Sequence, residues 1–384
     1  MKSTVLGLVG TIGAIAFAFV SAELLARWWL LKKGRSYALK PNTRLRMHLD
    51  TEALPTLAPV VEHLINSQGE RGDEPPSDQT GLFRVLVVGG SAAECWYIDQ
   101  NSTWPHVIQD QLKLPANLAK LSASHIHVGS IARSLVSCRQ VDAILERVLP
   151  SYGVLDAIVL MVGTSDILQW LESGAPDRIT EAPIPPASIF TQFPDGPFGW
   201  AQPELALRRV LSAAYWRCVP GFEEKKFVGR RIGEARQIRK MDRHAALDIP
   251  NPKPMLDGLD KWFRSILRQS SAKARSVVVV HQPWIEKEFT AEENDLLWSY
   301  SMGSPYKGDV SGYYSRKAVW ELHRIVNQHI ADISQEMGVV TVDLIQVLEP
   351  TFDNYYDDHH FTPRGCRVIG EVVASAILTA EKSK

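Results

Sequence analysis

The sequence predicts a three-layer α/β/α domain on a central, mainly parallel five-stranded sheet, preceded by one N-terminal transmembrane helix. Three observations predict it. Short, valine-rich runs recur along the chain, most of them closing at a glycine, and stretches with helical spacing separate them. Strands alternating with helices imply a parallel sheet covered on both faces. The N-terminus carries a long run without charge. Polar residues able to do chemistry stand just after the strand runs, where open parallel sheets place their sites.

The composition sets the frame. The chain has 384 residues, 45% hydrophobic and 22% charged, which suits a large core and argues against wholesale disorder. The formal net charge is -1, so no global field recruits nucleic acid. Four cysteines, Cys95, Cys138, Cys218 and Cys366, are widely spaced. None forms Cys-x-x-Cys, and no His-Glu-x-x-His occurs, so the sequence implies neither a metal site nor a cofactor. A disulfide is open to the chain in an oxidising compartment. Nothing in the sequence sets an oligomeric state.

Val5 to Ala22 carries no charge, and Leu24 to Leu31 extends the apolar stretch, interrupted only by Glu23 and Arg27. Those two stand four residues apart, so on a helix they can pair. About 18 consecutive apolar residues suffice to span a bilayer. Trp28 and Trp29 suit the headgroup region, and Lys32, Lys33 and Arg35 follow. Val20-Ser21-Ala22 also fits a leader-peptide cleavage site, but the apolar run continues past it, which favours an anchor over 4–31. Only Lys2 precedes the span, so the positive-inside rule would keep the following domain cytoplasmic.

A juxtamembrane lead-in is expected over 32–80, with Lys40 to Pro59 as loop. Strands are expected at Phe83–Val88, His125–Val128, Ala157–Val162, Ser276–Val280 and Val339–Val342. Ser102, Thr103 and Pro105 mark a helix start, and helices are also expected at Ser130–Leu149, Lys225–Arg243, Leu256–Leu267, Val319–Met337 and Cys366–Leu378. The proline-rich stretch Gly174–Pro203 cannot be regular helix or central strand, and reads as the start of an inserted lid over about 174–255 within a domain spanning 81–384.

The first strand ends in Gly89-Gly90-Ser91, the second runs into Gly129, and the third is followed by Gly163-Thr164-Ser165-Asp166. Asp357-Asp358-His359-His360 lies between the last strand and the last helix. A carboxylate three residues before a histidine can orient its imidazole, which then takes a proton from a serine supplied elsewhere. The four segments are far apart in sequence, yet all fall at the carboxyl edge of one sheet.

In this order the blocks resemble the SGNH (GDSL-type) hydrolases, named for a Ser, a Gly, an Asn and a His. The likeness extends to Asn66-Ser67-Gln68-Gly69-Glu70-Arg71-Gly72, to Val278-Val279-Val280-His281-Gln282-Pro283, and to Phe361-Thr362-Pro363-x-Gly365 after the histidine, as in membrane-anchored bacterial members. The resemblance implies the flavodoxin-like fold of that family. It implies Ser91 as nucleophile, His360 as general base, Asp357 as its orienting partner, and an oxyanion hole from the Ser91 and Gly129 amides and position 165. His359 and Asp358 are in the wrong register. Anchored relatives generally face outward, which implies a periplasmic or extracellular domain and opposes the charge rule.

One position departs from the pattern: Ser165 stands where the family has asparagine. Its shorter side chain puts one oxyanion donor in doubt. The implied activity is hydrolysis of an acyl ester on a carbohydrate or lipid. The alternatives are transfer of the acyl group to an acceptor hydroxyl by the same residues, or a non-catalytic member that binds a glycan or protein.

Overall fold

In the computed structural model, residues 2–194, 205–218 and 221–382 are described. Five parallel strands form the central sheet: β3 (Leu82–Gly89), β4 (His125–Ser130), β5 (Leu155–Met161), β7 (Ala274–His281) and β10 (Val340–Asp343), in the order β4-β3-β5-β7-β10. In chain order this is 2-1-3-4-5, the flavodoxin-like arrangement, so the expected fold class is borne out. The runs read as strands because side chains alternate between two buried faces. Val85 and Val87 enter one core with Val278 and Val280, while Leu86 and Val88 enter the other with Val277 and Val279. Each fully buried Val or Leu contributes roughly 1.5–3 kcal/mol. Helices Trp104–Leu112 and Pro363–Lys382 cover the first face. Helices Cys138–Val148, Lys253–Lys273 and Arg316–Glu336 cover the second.

Three expectations need correction. Lys40–Pro59 is not all loop: β1 (Thr43–Leu49) pairs antiparallel with β2 (Val60–Ile65) and parallel with β6 (Gly221–Val228), making a second, three-stranded sheet. Lys225 to Val228 therefore belongs to a strand, and the expected helix begins only at Arg230, after Gly229 turns the chain with φ 95. The helix expected from Ser130 starts at Cys138, because Ser130 still belongs to β4 and its amide donates to the Arg71 carbonyl at 3.0 Å. The intervening loop makes the edge of the site. In the proline-rich stretch the described part is irregular apart from Pro186–Ile189, and Pro197 and Pro203 lie outside the described residues.

Lys2–Lys33 forms a single helix, long and apolar enough over Val9–Lys32 to cross a membrane. Glu23 and Arg27 pair at 2.7 Å. The Glu23 carboxylate also accepts the Ala206 and Leu207 amides at 2.9 Å each, capping helix Ala206–Cys218.

Candidate active site

Reversal of strand order between β3 and β5 opens a crevice at their carboxyl ends. Ser91 opens a short helix, Ser91–Glu94, directly after β3. The Gly90 amide donates to the Met161 carbonyl of β5 at 3.3 Å, which ties the two strand tips together. Gly89 allows that approach, since a Cβ there would lie 2.2 Å from the Met161 oxygen. The Ser91 amide is at the first helical position, where an N–H has no intrahelical partner and is free to face a ligand.

The buried Arg71 holds this turn from beneath. Its guanidinium donates to the carbonyls of Glu94 at 2.5 Å, Cys95 at 2.9 Å and Ile98 at 2.6 Å, and to the Gln100 side chain at 3.2 Å. Burial pulls its pKa down to about 10, which leaves it charged at neutral pH. Glu94 is buried beside it and accepts the Ser134 amide at 2.7 Å. Burial pushes the Glu94 carboxyl up, against the opposing pull of Ser134 and Arg71.

His360 arrives from the opposite side of the crevice. Its Nε2 lies 2.7 Å from Ser91 Oγ, and its Nδ1 lies 2.7 Å from Asp357 Oδ2. Asp357 is fully buried, and its second oxygen accepts the His359 and His360 amides at 2.9 and 2.8 Å. Burial alone would raise its pKa. The His360 charge and hydrogen bonds outweigh that and hold the carboxyl well below the usual carboxylate range. The Tyr356 ring stacks on the imidazole at 5.5 Å with 6° between planes, fixing its tilt. His359 turns the other way, with Nδ1 3.1 Å from the Tyr300 hydroxyl.

The loop after β7 buttresses this segment. Gln282 donates to the His359 carbonyl at 3.4 Å, the Ile285 amide donates to the Asp358 carbonyl at 3.0 Å, and Asn327 anchors the Gln282 carbonyl at 3.0 Å. Among the described residues, Asp357, His359 and His360 bring metal-type ligand atoms within 4.8 Å of one another; both His360 nitrogens are taken up by Asp357 and Ser91, and His359 Nδ1 by Tyr300.

Ser165 is the second residue of helix Thr164–Glu172. Its Oγ would lie 2.9 Å from a Cβ on Gly90, so its hydroxyl stands beside the turn that carries Ser91. Asp166, next along, accepts the Cys138 amide at 3.0 Å and caps that helix, and burial raises its pKa to about 6.

Gly129 stands elsewhere than expected. It lies inside β4, paired with Leu86. The Ile131 and Arg133 amides donate to the Val87 and Gly89 carbonyls at 2.9 and 3.0 Å. By the period of two along a strand, the Gly129 amide faces β3 as well and is committed to the ladder. A Cβ at this position would lie 2.5 Å from the Glu70 carboxylate, so glycine is needed here to admit that group.

Glu70 accepts from Asn66 at 3.0 Å and pairs with Arg84 and His127 at 2.7 Å each. Burial opposes its ionisation, but these partners pull its pKa from 4.5 to about 2. A depressed carboxylate stabilises the fold above its unfolded pKa, and that stability drains away as pH falls through the folded value. The wild type should therefore lose about 3 kcal/mol from this group between pH 4.5 and 2. Glu70→Gln should be less stable at pH 7 and show a shallower acid limb in urea titrations across that range. Equal limbs would dismiss the linkage.

No protein-family model and no curated protein matches the chain. Solved structures do. One is a member of the lipolytic G-D-S-L family from Veillonella parvula, 11% identical, covering 76% of this chain and 97% of its own, with a TM-score of 0.39. A second is an acetylxylan esterase from Geobacillus stearothermophilus, 12% identical, covering 77% and 94%, with a TM-score of 0.40. A third is a G-D-S-L lipolytic protein from Desulfitobacterium hafniense, 8% identical, covering 76% and 98%, with a TM-score of 0.36. This chain is similar to all three.

Proposed function

We propose that the protein is a membrane-anchored serine esterase that hydrolyses an acyl ester on a carbohydrate or lipid. The observation that carries this reading is the relay Ser91 Oγ, His360 Nε2, His360 Nδ1, Asp357 Oδ2, with both contacts at 2.7 Å. In this reading His360 takes the Ser91 proton as Oγ attacks the ester carbonyl. Asp357 holds the tautomer and offsets the imidazolium charge. The imidazolium then protonates the leaving alkoxide, and a water deprotonated by His360 releases the acid. The Ser91 amide and the Ser165 hydroxyl face the developing oxyanion. A serine-directed fluorophosphonate should label wild-type protein at Ser91 and leave Ser91→Ala unlabelled. Labelling at another serine, or none, would remove the reading.

Ser165 sets the rate within this scheme. An asparagine amide reaches further than a hydroxyl, and one oxyanion donor is worth about 10²–10³ in kcat. Ser165→Asn should raise kcat on a short-chain aryl ester, and Ser165→Ala should lower it. Equal rates for wild type and Ser165→Ala, with no gain from asparagine, would mean that the position contributes nothing to the oxyanion hole.

Retention of the N-terminal helix is supported by Glu23, which joins Arg27 to the cap of helix Ala206–Cys218. Ala26 and Leu30 pack against Ala206 in the same contact. A leader destined for removal has no need of such ties. We place the domain in the periplasm or outside the cell. A C-terminal reporter active only in the cytoplasm would reverse that.

A further inference from the structure

Cys95 and Cys366 are 271 residues apart in the chain, and their sulfurs are 4.0 Å apart. Both are buried. Cys95 closes the nucleophile helix in a left-handed conformation, with φ 53. Cys366 lies in the first turn of helix Pro363–Lys382, which follows His360 almost at once. We propose that these thiols form a dithiol–disulfide couple whose closed form pins the turn carrying Ser91 to the helix that follows His360.

A disulfide needs its sulfurs at about 2.05 Å, so they must approach by roughly 2 Å from their present separation. Cys138 offers neither of them a partner, because it packs in the core on the opposite face of the sheet. The oxidant is the disulfide of a protein thiol oxidase or of oxidised glutathione. Cys95 loses its proton, and its thiolate attacks that disulfide, expelling one oxidant thiolate and leaving a mixed disulfide. The Cys366 thiolate then attacks the Cys95 sulfur and expels the second. Two protein thiols thus give up two protons and two electrons, and the oxidant leaves as a dithiol or two thiols.

The surroundings of the two thiols differ. Burial disfavours the Cys95 thiolate, but the Cys366 thiol and the Arg71 guanidinium outweigh that and lower its pKa, whereas burial pushes Cys366 up. Since both sulfurs are buried, exchange takes place while the chain folds or the turn opens. The redox state then records the compartment in which the domain folded: closed in an oxidising space, open in a reducing one. The couple does not depend on the esterase reading.

Full-length protein in detergent would be refolded with oxidised or with reduced glutathione, alkylated under denaturing conditions and mapped by mass spectrometry. The oxidised sample should yield a Cys95–Cys366 linked peptide lighter by two hydrogens than its separate parts. Its thermal midpoint should lie about 5 °C above that of the reduced sample, because a long loop has been closed. Cys366→Ala should leave Cys95 alkylated and the two midpoints equal. Full alkylation of both residues in oxidised wild type, or their pairing elsewhere, would overturn the couple. A linked peptide with an unchanged midpoint would overturn the pinning. The mapping uses wild type, so a variant that fails to fold does not weaken it.

Discussion

Ser91→Ala is expected to lower kcat on a short-chain aryl ester by about 10⁶, with the fold intact. The loss is that large because the proposed mechanism makes the serine the attacking group, and no described residue offers His360 Nε2 a second hydroxyl at 2.7 Å. His360→Ala should cost a similar factor, and the double variant no more than either single one, since the two act as a unit. Asp357→Asn should cost about 10⁴, because the amide presents a donor where the imidazole needs an acceptor. Circular dichroism and thermal melts would establish that each variant folds. Additive losses in the Ser91→Ala, His360→Ala pair, or residual turnover in Ser91→Ala above a hundredth of wild type, would show that the relay is not the catalytic unit.

The inner strands of the central sheet were legible because β3, β5 and β7 are short, largely apolar runs, as burial on both faces demands. The second sheet was not. β6 carries Glu223, Glu224, Lys225 and Lys226 along an exposed edge, so charge rather than apolar alternation dominates it, and Lys225–Val228 reads as the start of a basic helix. β1 did carry a signal. Leu45, Met47 and Leu49 are buried while Arg44 is exposed and Arg46 and His48 are partly so, which is the period of two that a half-covered strand requires. The late start of helix Cys138–Val148 also had a mark, Ser137-x-x-Gln140, whose glutamine side chain accepts the Ser137 amide at 2.9 Å. Ser130 looked like a cap because serine after a strand so often is one.

At the site, the three-residue spacing lets Asp357 meet an imidazole on a tight turn, and the family resemblance singles out His360 over His359; the two side chains, Asp357 and His360, stand 2.7 Å apart. The surroundings of Gly129 are not encoded in its local pattern. A glycine near a strand end signals a close approach but does not say of what, and here the close neighbour is a carboxylate from Glu70. Arg71, Gln282 and Tyr356 lay in or beside segments that the sequence singled out. Their roles depend on carbonyls and rings brought in from distant segments, which no local pattern encodes. The proximity of Cys95 and Cys366 is of the same kind.

Arg71→Met should destabilise the protein by about 3–5 kcal/mol and slow the enzyme beyond what the lost stability explains. The guanidinium is the shared partner of three carbonyls on the turn after Ser91 and of the Gln100 side chain, all within 3.2 Å. Methionine fills a similar volume but supplies no donor, so those oxygens stay buried and unpaired. Arg71→Lys keeps the charge as a single point on a flexible stem, which cannot serve carbonyls spread over a turn. It should fall between wild type and Arg71→Met. If Arg71 positions the nucleophile, the folded fraction of either variant should show lower kcat and slower fluorophosphonate labelling at Ser91, with KM near wild type, because ester binding does not use the guanidinium. Urea titration gives the stability, and labelling rates at a temperature where every variant is folded give the positioning effect. Variants that are destabilised yet label at the wild-type rate would make Arg71 a brace for the fold alone, with no hold on the position of Ser91.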